Sequence, residues 1–248
     1  MPVSMSEPFS IIIPARYAST RLPGKPLLEI KGKPLLQHVY ETATQAQAKS
    51  ITIATDDRRI ADAAESFGAS VIMTSNEHES GTDRIAEAVR ELELDDNDVV
   101  VNLQGDEFGL PVTLIDQVAS NLYDNPDNQM ATLCERINTL DEFIDQNVVK
   151  VLFDKRNTAI YFSRSPIPLN RTGGLPEQAY RHIGLYAYRA GYLQEFTKLA
   201  PCAIEQAEAL EQLRVLYNGG KIHVDIAVDK TGIGVDSAAD LELARSKK

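Results

Sequence analysis

Short apolar runs alternate with amphipathic stretches through the first half of the chain, and this alternation constrains the fold more than any other feature. Phe9–Ile13, Ile51–Ala54, Ser70–Met73 and Val99–Leu103 read as short strands buried on both faces. Between them, Leu35, Leu36, Val39 and Ala43 form one helical face, with Pro34 placed in its first turn. Ile60, Ala64 and Phe67 form a second face, Ile85, Val89 and Leu92 a third, and Leu114, Ile115, Val118 and Leu122 a fourth. Strand and helix in turn imply an α/β fold, a mostly parallel sheet with helices on both faces. Ligands on such sheets sit beyond the carboxyl ends of the strands.

After about residue 130 the pattern loosens. Val149–Phe153, Ala159–Ser163 and Ile183–Tyr188 read as strands, partly antiparallel, with a Pro/Gly-rich loop from Pro166 to Pro176 between the last two. Ile204–Tyr217 reads as one helix with Ala207, Leu210, Leu213 and Tyr217 on a face, and Ile222–Val228 as an alternating strand. Ser237–Arg245 reads as a final helix, Ser237 its N-cap and Asp240 in the third position. The 248 residues suffice for one large α/β domain, so 1–248 is taken as a single unit with a smaller mixed lobe at about 130–188.

The net charge of −11 argues against nucleic acid, whose phosphates demand basic surface. A small anionic ligand stays open, because a local cation cluster overrides the global sign. Cys134 and Cys202 form no zinc or disulfide pattern, which fits a reducing cytoplasm. The first ten residues lack a basic, apolar leader, and no run reaches the roughly 18 apolar residues of a membrane span, so neither is expected.

The segment after the first strand, Pro14-Ala15-Arg16-Tyr17-Ala18-Ser19-Thr20-Arg21-Leu22-Pro23-Gly24-Lys25-Pro26, gathers three cations, two hydroxyls and a glycine. Gly24 lets backbone approach a ligand, and Arg16, Arg21 and Lys25 can neutralise a polyanion. The competing reading is a solvated basic turn; the Walker pattern is absent. Gln104-Gly105-Asp106-Glu107 follows another apolar strand, where a carboxylate suits Mg²⁺, although Asp106 could also cap a turn. Ser80-Gly81-Thr82-Asp83-Arg84 opens the third helix. Ser80 or Thr82 reads as its N-cap, and such a terminus beside Arg84 can also hold a nucleotide. Taken singly, Asp236 reads as a cap or turn residue, Arg164 as a surface cation, His182 as structural, Tyr186 as core, and Glu211 and Gln212 as a solvated helix face.

The form RYASTRLPGKP at Arg16–Pro26 resembles the nucleotide-binding signature of the 3-deoxy-manno-octulosonate (Kdo) cytidylyltransferases. Ser80–Arg84, Asn102–Glu107, Tyr161–Arg164, His182–Tyr186, Leu210–Arg214 and Gly234–Asp236 resemble further motifs of that family, in its order. The resemblance implies a nucleotidyltransferase-type, Rossmann-like fold and CMP transfer from CTP to the anomeric hydroxyl of Kdo. It implies Asp106 and Asp236 as ligands of Mg²⁺, and Arg16, Lys25 and both aspartates as the catalytic set. The nucleotide would meet Pro14, Ala15, Arg16, Arg21, Lys25, Ser80, Gly81, Arg84, Gln104 and Asp106. The sugar acid would meet Gln104, Arg164, His182, Tyr186, Glu211 and Gln212. A homodimer in the cytoplasm, feeding lipopolysaccharide synthesis, is also implied. Where the family pattern has proline after Asp-Glu, this chain has Phe108 and then Gly109, which bears on the loop's shape and on substrate selectivity rather than on the carboxylate. Transfer to 8-amino-Kdo or a sialic acid shares the chemistry. A nucleotide-sugar glycosyltransferase would lack the strong cation loop, and a non-catalytic nucleotide sensor would not need both aspartates.

Overall fold

The computed structural model describes residues 8–18, 22–78 and 80–247. The first half runs β1 (Phe9–Ala15), β2 (Glu29–Ile30), β3 (Lys33–Pro34), α1 (Leu35–Ala43), β4 (Ala48–Thr55), α2 (Arg58–Ser66), β5 (Ser70–Met73), α3 (Gly81–Glu91), β6 (Val99–Asn102), β7 (Glu107–Phe108) and α4 (Val112–Asp124). The second half adds β8 (Met130–Arg136), α5 (Leu140–Ile144), β9 (Lys150–Phe153), β10 (Ala159–Ser163), β11 (Tyr180–Arg189) and α6 (Ala190–Phe196). It closes with α7 (Ala203–Glu208), α8 (Leu213–Tyr217), β12 (Ile222–Ile226), β13 (Ile233–Gly234) and α9 (Ala238–Ser246).

Nine strands form one sheet. β6, β1, β4 and β5 run parallel, with Ile11 opposite Ile51 on one side and Val101 on the other. β11 then pairs antiparallel with β6 and β8, and β12 lies parallel to β8. The β9–β10 hairpin joins the early part of β11 through Arg181 and Lys150. Every residue of β1 is buried, as a central strand covered on both faces requires. Ile11 and Ile13 pack into one cluster with Leu36, Val39, Leu114 and Val118, while Ile12 faces Ile85, Val89 and Leu193 on the other. Each such side chain contributes about 1.5–3 kcal/mol by leaving water. This two-sided packing fixes where the strand ends point, and therefore where the loops of the site lie.

The four expected strands and four helical faces of the first half are present, with Pro34 just ahead of α1 rather than inside its first turn; Ser70–Met73, however, is not buried, because β5 is the edge strand of the sheet and leaves Ser70 and Met73 exposed. β8 has no counterpart in the sequence reading; it is a central strand, buried from Met130 to Cys134 with Thr132 in its midst. Ile204–Tyr217 is not one helix. Ala209 adopts a left-handed conformation (φ 50°) between α7 and α8. Arg214 Nε donates to Glu205 Oε2 at 2.9 Å, whereas nine positions along a continuous helix would set the two on opposite faces about 13 Å apart. Ala207 and Tyr217 are exposed, and only Leu210 and Leu213 of the expected face are buried. β12 ends at Ile226, leaving Val228 exposed. Ser237 caps α9 in a reciprocal capping box with Asp240, as its position predicts. No helix among the described residues is long and apolar enough to cross a membrane.

Candidate functional site

A cavity of about 640 Å³ opens at the carboxyl ends of β1 and β6, a volume typical of a small-molecule pocket. Its walls include Pro14, Ala15, Arg16 and Lys25 from the segment after β1, and Ser80, Gly81 and Arg84 from the start of α3. Gln104 and Asp106 follow β6 into it, and Asp236 enters from beyond β13. Ten of the expected residues thus share one cavity, and Arg21 lies outside the described residues.

The segment after β1 turns at Gly24, whose positive φ of 67° suits glycine and whose surroundings are tight. A Cβ there would lie 3.1 Å from the Tyr17 ring. Gly24 N–H donates to the Tyr17 carbonyl at 3.0 Å. Arg59 of α2 stacks on the other part of this local knot, its guanidinium 3.4 Å from the Tyr17 ring centre. The turn launches a short 3₁₀ segment, Lys25–Leu27, and aims the Lys25 ammonium into the cavity.

That ammonium contacts both aspartates. Lys25 Nζ pairs with Asp106 Oδ2 and lies 3.1 Å from Asp236 Oδ1. Two carboxylates 130 positions apart in sequence therefore converge on one cation. Their mutual repulsion is offset by the shared positive charge. Glu107 stands behind them, its pKa pushed up to about 7, first by burial and then by the charges of Asp106 and Asp236. Among the described residues, no group of three or more His, Cys, Asp and Glu side chains forms a ready-made metal cluster. Two acidic side chains in an open cavity instead suit a hard cation whose coordination is completed by ligand oxygens and water.

At the opposite wall, Ser80 caps α3 and accepts from Asp83 N–H at 3.1 Å, with the Asp83 carboxylate returning to Ser80. The cap reading thus holds, and the helix terminus still faces the cavity. Arg84 is almost fully buried, held by Asp56 at 2.9 Å and by the Thr74 hydroxyl. Gln104 Nε2 donates to Asn102 Oδ1 at 3.1 Å, which fixes its amide.

The other expected residues, Arg164, His182, Tyr186, Glu211 and Gln212, are not part of the cavity wall. Thr82, next to Gly81, donates to Glu211 Oε2 at 2.5 Å and links it to the start of α3. Burial raises the pKa of Glu211. The break between α7 and α8 is what turns Glu211 toward α3, and Gln212 beside it is buried. Along β11, His182 packs against Phe162 and Tyr186, and Tyr186 against Tyr188. Desolvation pushes the His182 pKa down to about 3, so its imidazole is neutral and is held by Thr132 Oγ1 at 3.0 Å. Arg164 is held at the carboxyl end of α7. Its Nε donates to the Glu208 carbonyl at 2.7 Å and its Nη1 to the Gln146 carbonyl at 3.1 Å.

Sequence reasoning missed Tyr17, His78 and Asp56. His78 lines the cavity and is paired with Glu87; nothing in the run Glu77-His78-Glu79 signals this. Tyr17 lay inside the quoted loop, and its aromatic ring beside cations was the available cue.

A sheet with a cation-bearing segment at one strand end and paired carboxylates at another fits an α/β protein that binds nucleotides and handles their phosphates. The chain belongs to the cytidylyltransferase family, whose model matches residues 10–222. It is 52% identical to a 3-deoxy-manno-octulosonate cytidylyltransferase of Hahella chejuensis, with 96% of each chain covered. It is 50% identical to the protein of that name from Haemophilus influenzae, covering 96% of this chain and 97% of the relative. A solved CMP:2-keto-3-deoxy-manno-octonic acid synthetase complexed with CTP superposes with a TM-score of 0.90 at 43% identity, covering 97% of this chain and 98% of that one. A cytidylyltransferase from Leptospira borgpetersenii shares the fold, with a TM-score of 0.62 at 16% identity over 97% of this chain and 86% of that one.

Proposed function

We propose that this chain transfers CMP from CTP to the anomeric hydroxyl of 3-deoxy-manno-octulosonate and releases pyrophosphate. The observation that carries this reading is the meeting of Lys25, Asp106 and Asp236 in a cavity that also holds Arg16 and the start of α3. The hydroxyl oxygen attacks the α-phosphorus, forming the new O–P bond. The bond from that phosphorus to pyrophosphate breaks, and the hydroxyl proton passes to solvent. Holding both reactants in line is the main source of rate in such a step.

Arg16, Arg21 and Lys25 bind the triphosphate and stabilise charge that moves onto the departing pyrophosphate. Ser80, Gly81 and Arg84, with Gln104, hold the cytosine and ribose at the α3 terminus. Asp106 and Asp236 would hold a divalent cation, which we assign as Mg²⁺ from their hard oxygen donors. When bound, such a cation neutralises phosphate oxygens and lowers the pKa of the attacking hydroxyl. Lys25 pairs with the same two carboxylates that would hold the cation, so with a cation bound its ammonium would be free to serve the triphosphate.

Glu211, Gln212, Tyr186, neutral His182 and Gln104 recognise the hydroxyls of the sugar acid, and Arg164 recognises its carboxylate. The stretch at residues 130–188, whose strands continue the main sheet, mediates a homodimer, and the enzyme works in the cytoplasm.

The test is pyrophosphate release with CTP and Kdo, repeated with UTP, ATP and GTP. Robust release with CTP alone is the expected outcome, since the pocket selects the cytosine amine by hydrogen bonds and rejects purines by size. Equal turnover with UTP would remove the base-selective part, and no release with Kdo the substrate assignment. In the same assay, Arg164→Ala should raise the apparent Kdo constant far more than the CTP constant, because only one substrate loses a charge-assisted bond. A larger effect on CTP would move Arg164 to the phosphate side.

A further inference from the structure

The aspartate pair is assembled by a two-residue ladder. β7 pairs antiparallel with β13, Glu107 opposite Gly234 and Phe108 opposite Ile233. Asp106 immediately precedes β7, and Val235 N–H donates to the Asp106 carbonyl at 3.0 Å. Phe108 and Val235 are buried in one small cluster with Ile30, Leu35, Leu241 and Ala244, apart from the main core. The Phe108 that replaces the family's expected proline therefore anchors β7 in the same cluster that anchors the Asp236 segment. Two short strands have little stability alone, so the spacing of the carboxylates depends on how closely this ladder can close.

Gly232 sets that closeness. A Cβ at this position would lie 2.4 Å from the Phe108 carbonyl oxygen and 2.7 Å from both Gly109 C and Leu110 N, all backbone atoms that cannot rotate away. A Cβ at Gly234, two residues on and inside β13, would meet only Glu107 Oε1 at an ordinary 3.9 Å. Just upstream, Thr231 is tied to the main sheet. Its N–H donates to Glu135 Oε1 at 2.7 Å, and its hydroxyl accepts from Arg181 Nη2 at 2.6 Å. Arg181 in turn pairs with Glu135 at 2.8 Å. The segment is thus pressed against β7 on one side and latched to β8 and β11 on the other.

We propose that Gly232 and Thr231 are positioning residues for the cation site. Gly232, by lacking a side chain, and Thr231, through its hydroxyl latch, hold Asp236 within reach of Asp106. Neither touches substrate. The inference rests on the reading of Asp106 and Asp236 as cation ligands, and the test separates the two.

Mn²⁺ binding is measured by electron paramagnetic resonance on the full-length protein with a non-hydrolysable CTP analogue, alongside the thermal midpoint and the CTP constant. Asp236→Asn should abolish the tight Mn²⁺ signal; if it binds as the unaltered protein does, the ligand assignment itself is wrong. Gly232→Ala should weaken Mn²⁺ by about 10–100-fold, the usual cost of disturbing groups that orient metal ligands. The nucleotide's affinity without metal should stay unchanged, and Gly234→Ala should keep near-normal Mn²⁺ binding. Thr231→Val should weaken Mn²⁺ by a smaller factor and Thr231→Ser should restore it, which keeps the idea testable if Gly232→Ala does not fold. Normal Mn²⁺ affinity in folded Gly232→Ala, or in Thr231→Val, with Asp236→Asn inactive in binding, would overturn the positioning role while leaving the ligand assignment standing.

Discussion

Asp106→Asn and Asp236→Asn are each expected to lower metal-dependent turnover by at least about a hundredfold, the scale of losing a main electrostatic stabiliser. Both carboxylates reach the same Lys25 ammonium, so they lie well inside the ~10 Å beyond which two side chains cannot ligate one ion at about 2.1 Å each. Asparagine keeps the size and one oxygen but removes the charge that holds a divalent cation. The fold should tolerate either change. Asp236 is half-exposed, and in its absence Lys25 keeps Asp106 as a partner. An apo thermal midpoint close to the unaltered protein, with turnover lost and not recovered by excess Mg²⁺, is the predicted pattern. Turnover within a few fold of normal for either variant would sink the joint-ligand reading.

The parts legible in the sequence were those whose pattern is local. β1 and β6 are buried on both faces and appear as plain apolar runs, β4 is buried over its second half, the edge strand β5 is half-exposed though its run is apolar, and α1 to α4 carry one buried stripe each. β8 is equally central, yet Thr132, Cys134 and the loose polar flank gave no contrast to read. The helix at Ile204–Tyr217 failed because periodicity cannot register the Glu205–Arg214 ion pair that folds the chain back on itself. The ladder of β7 and β13 is too short for any period at all. At the site, the cations of Arg16–Lys25 announce themselves by composition, and Ser80 by cap chemistry. Asp236 does not. Beside Ser237, which does cap α9, it reads as one more turn residue, and only the family resemblance marked it. The bridging of both aspartates by Lys25 is a product of tertiary geometry that no spacing encodes.

Lys25→Ala should lower turnover by about two to three orders of magnitude, by the measure of losing one transition-state donor. Its side chain is mostly covered, but what covers it is the polar cavity, so its removal opens no hole in the apolar core. In the resting protein the substitution strips the ammonium that Asp106 and Asp236 share, so the two close carboxylates repel more strongly. A divalent cation relieves that repulsion, and in the variant it no longer competes with an ammonium. Metal affinity should therefore hold or rise while turnover falls, the opposite of what Asp236→Asn produces. This divergence distinguishes a residue that serves the triphosphate from one that serves the cation. Arginine at position 25 should not rescue fully, because a planar guanidinium cannot replace a compact ammonium between two carboxylates and then reach a phosphate. Near-normal turnover of Lys25→Ala would make this lysine a solvated loop charge, and a parallel loss of metal affinity would make it part of the cation site.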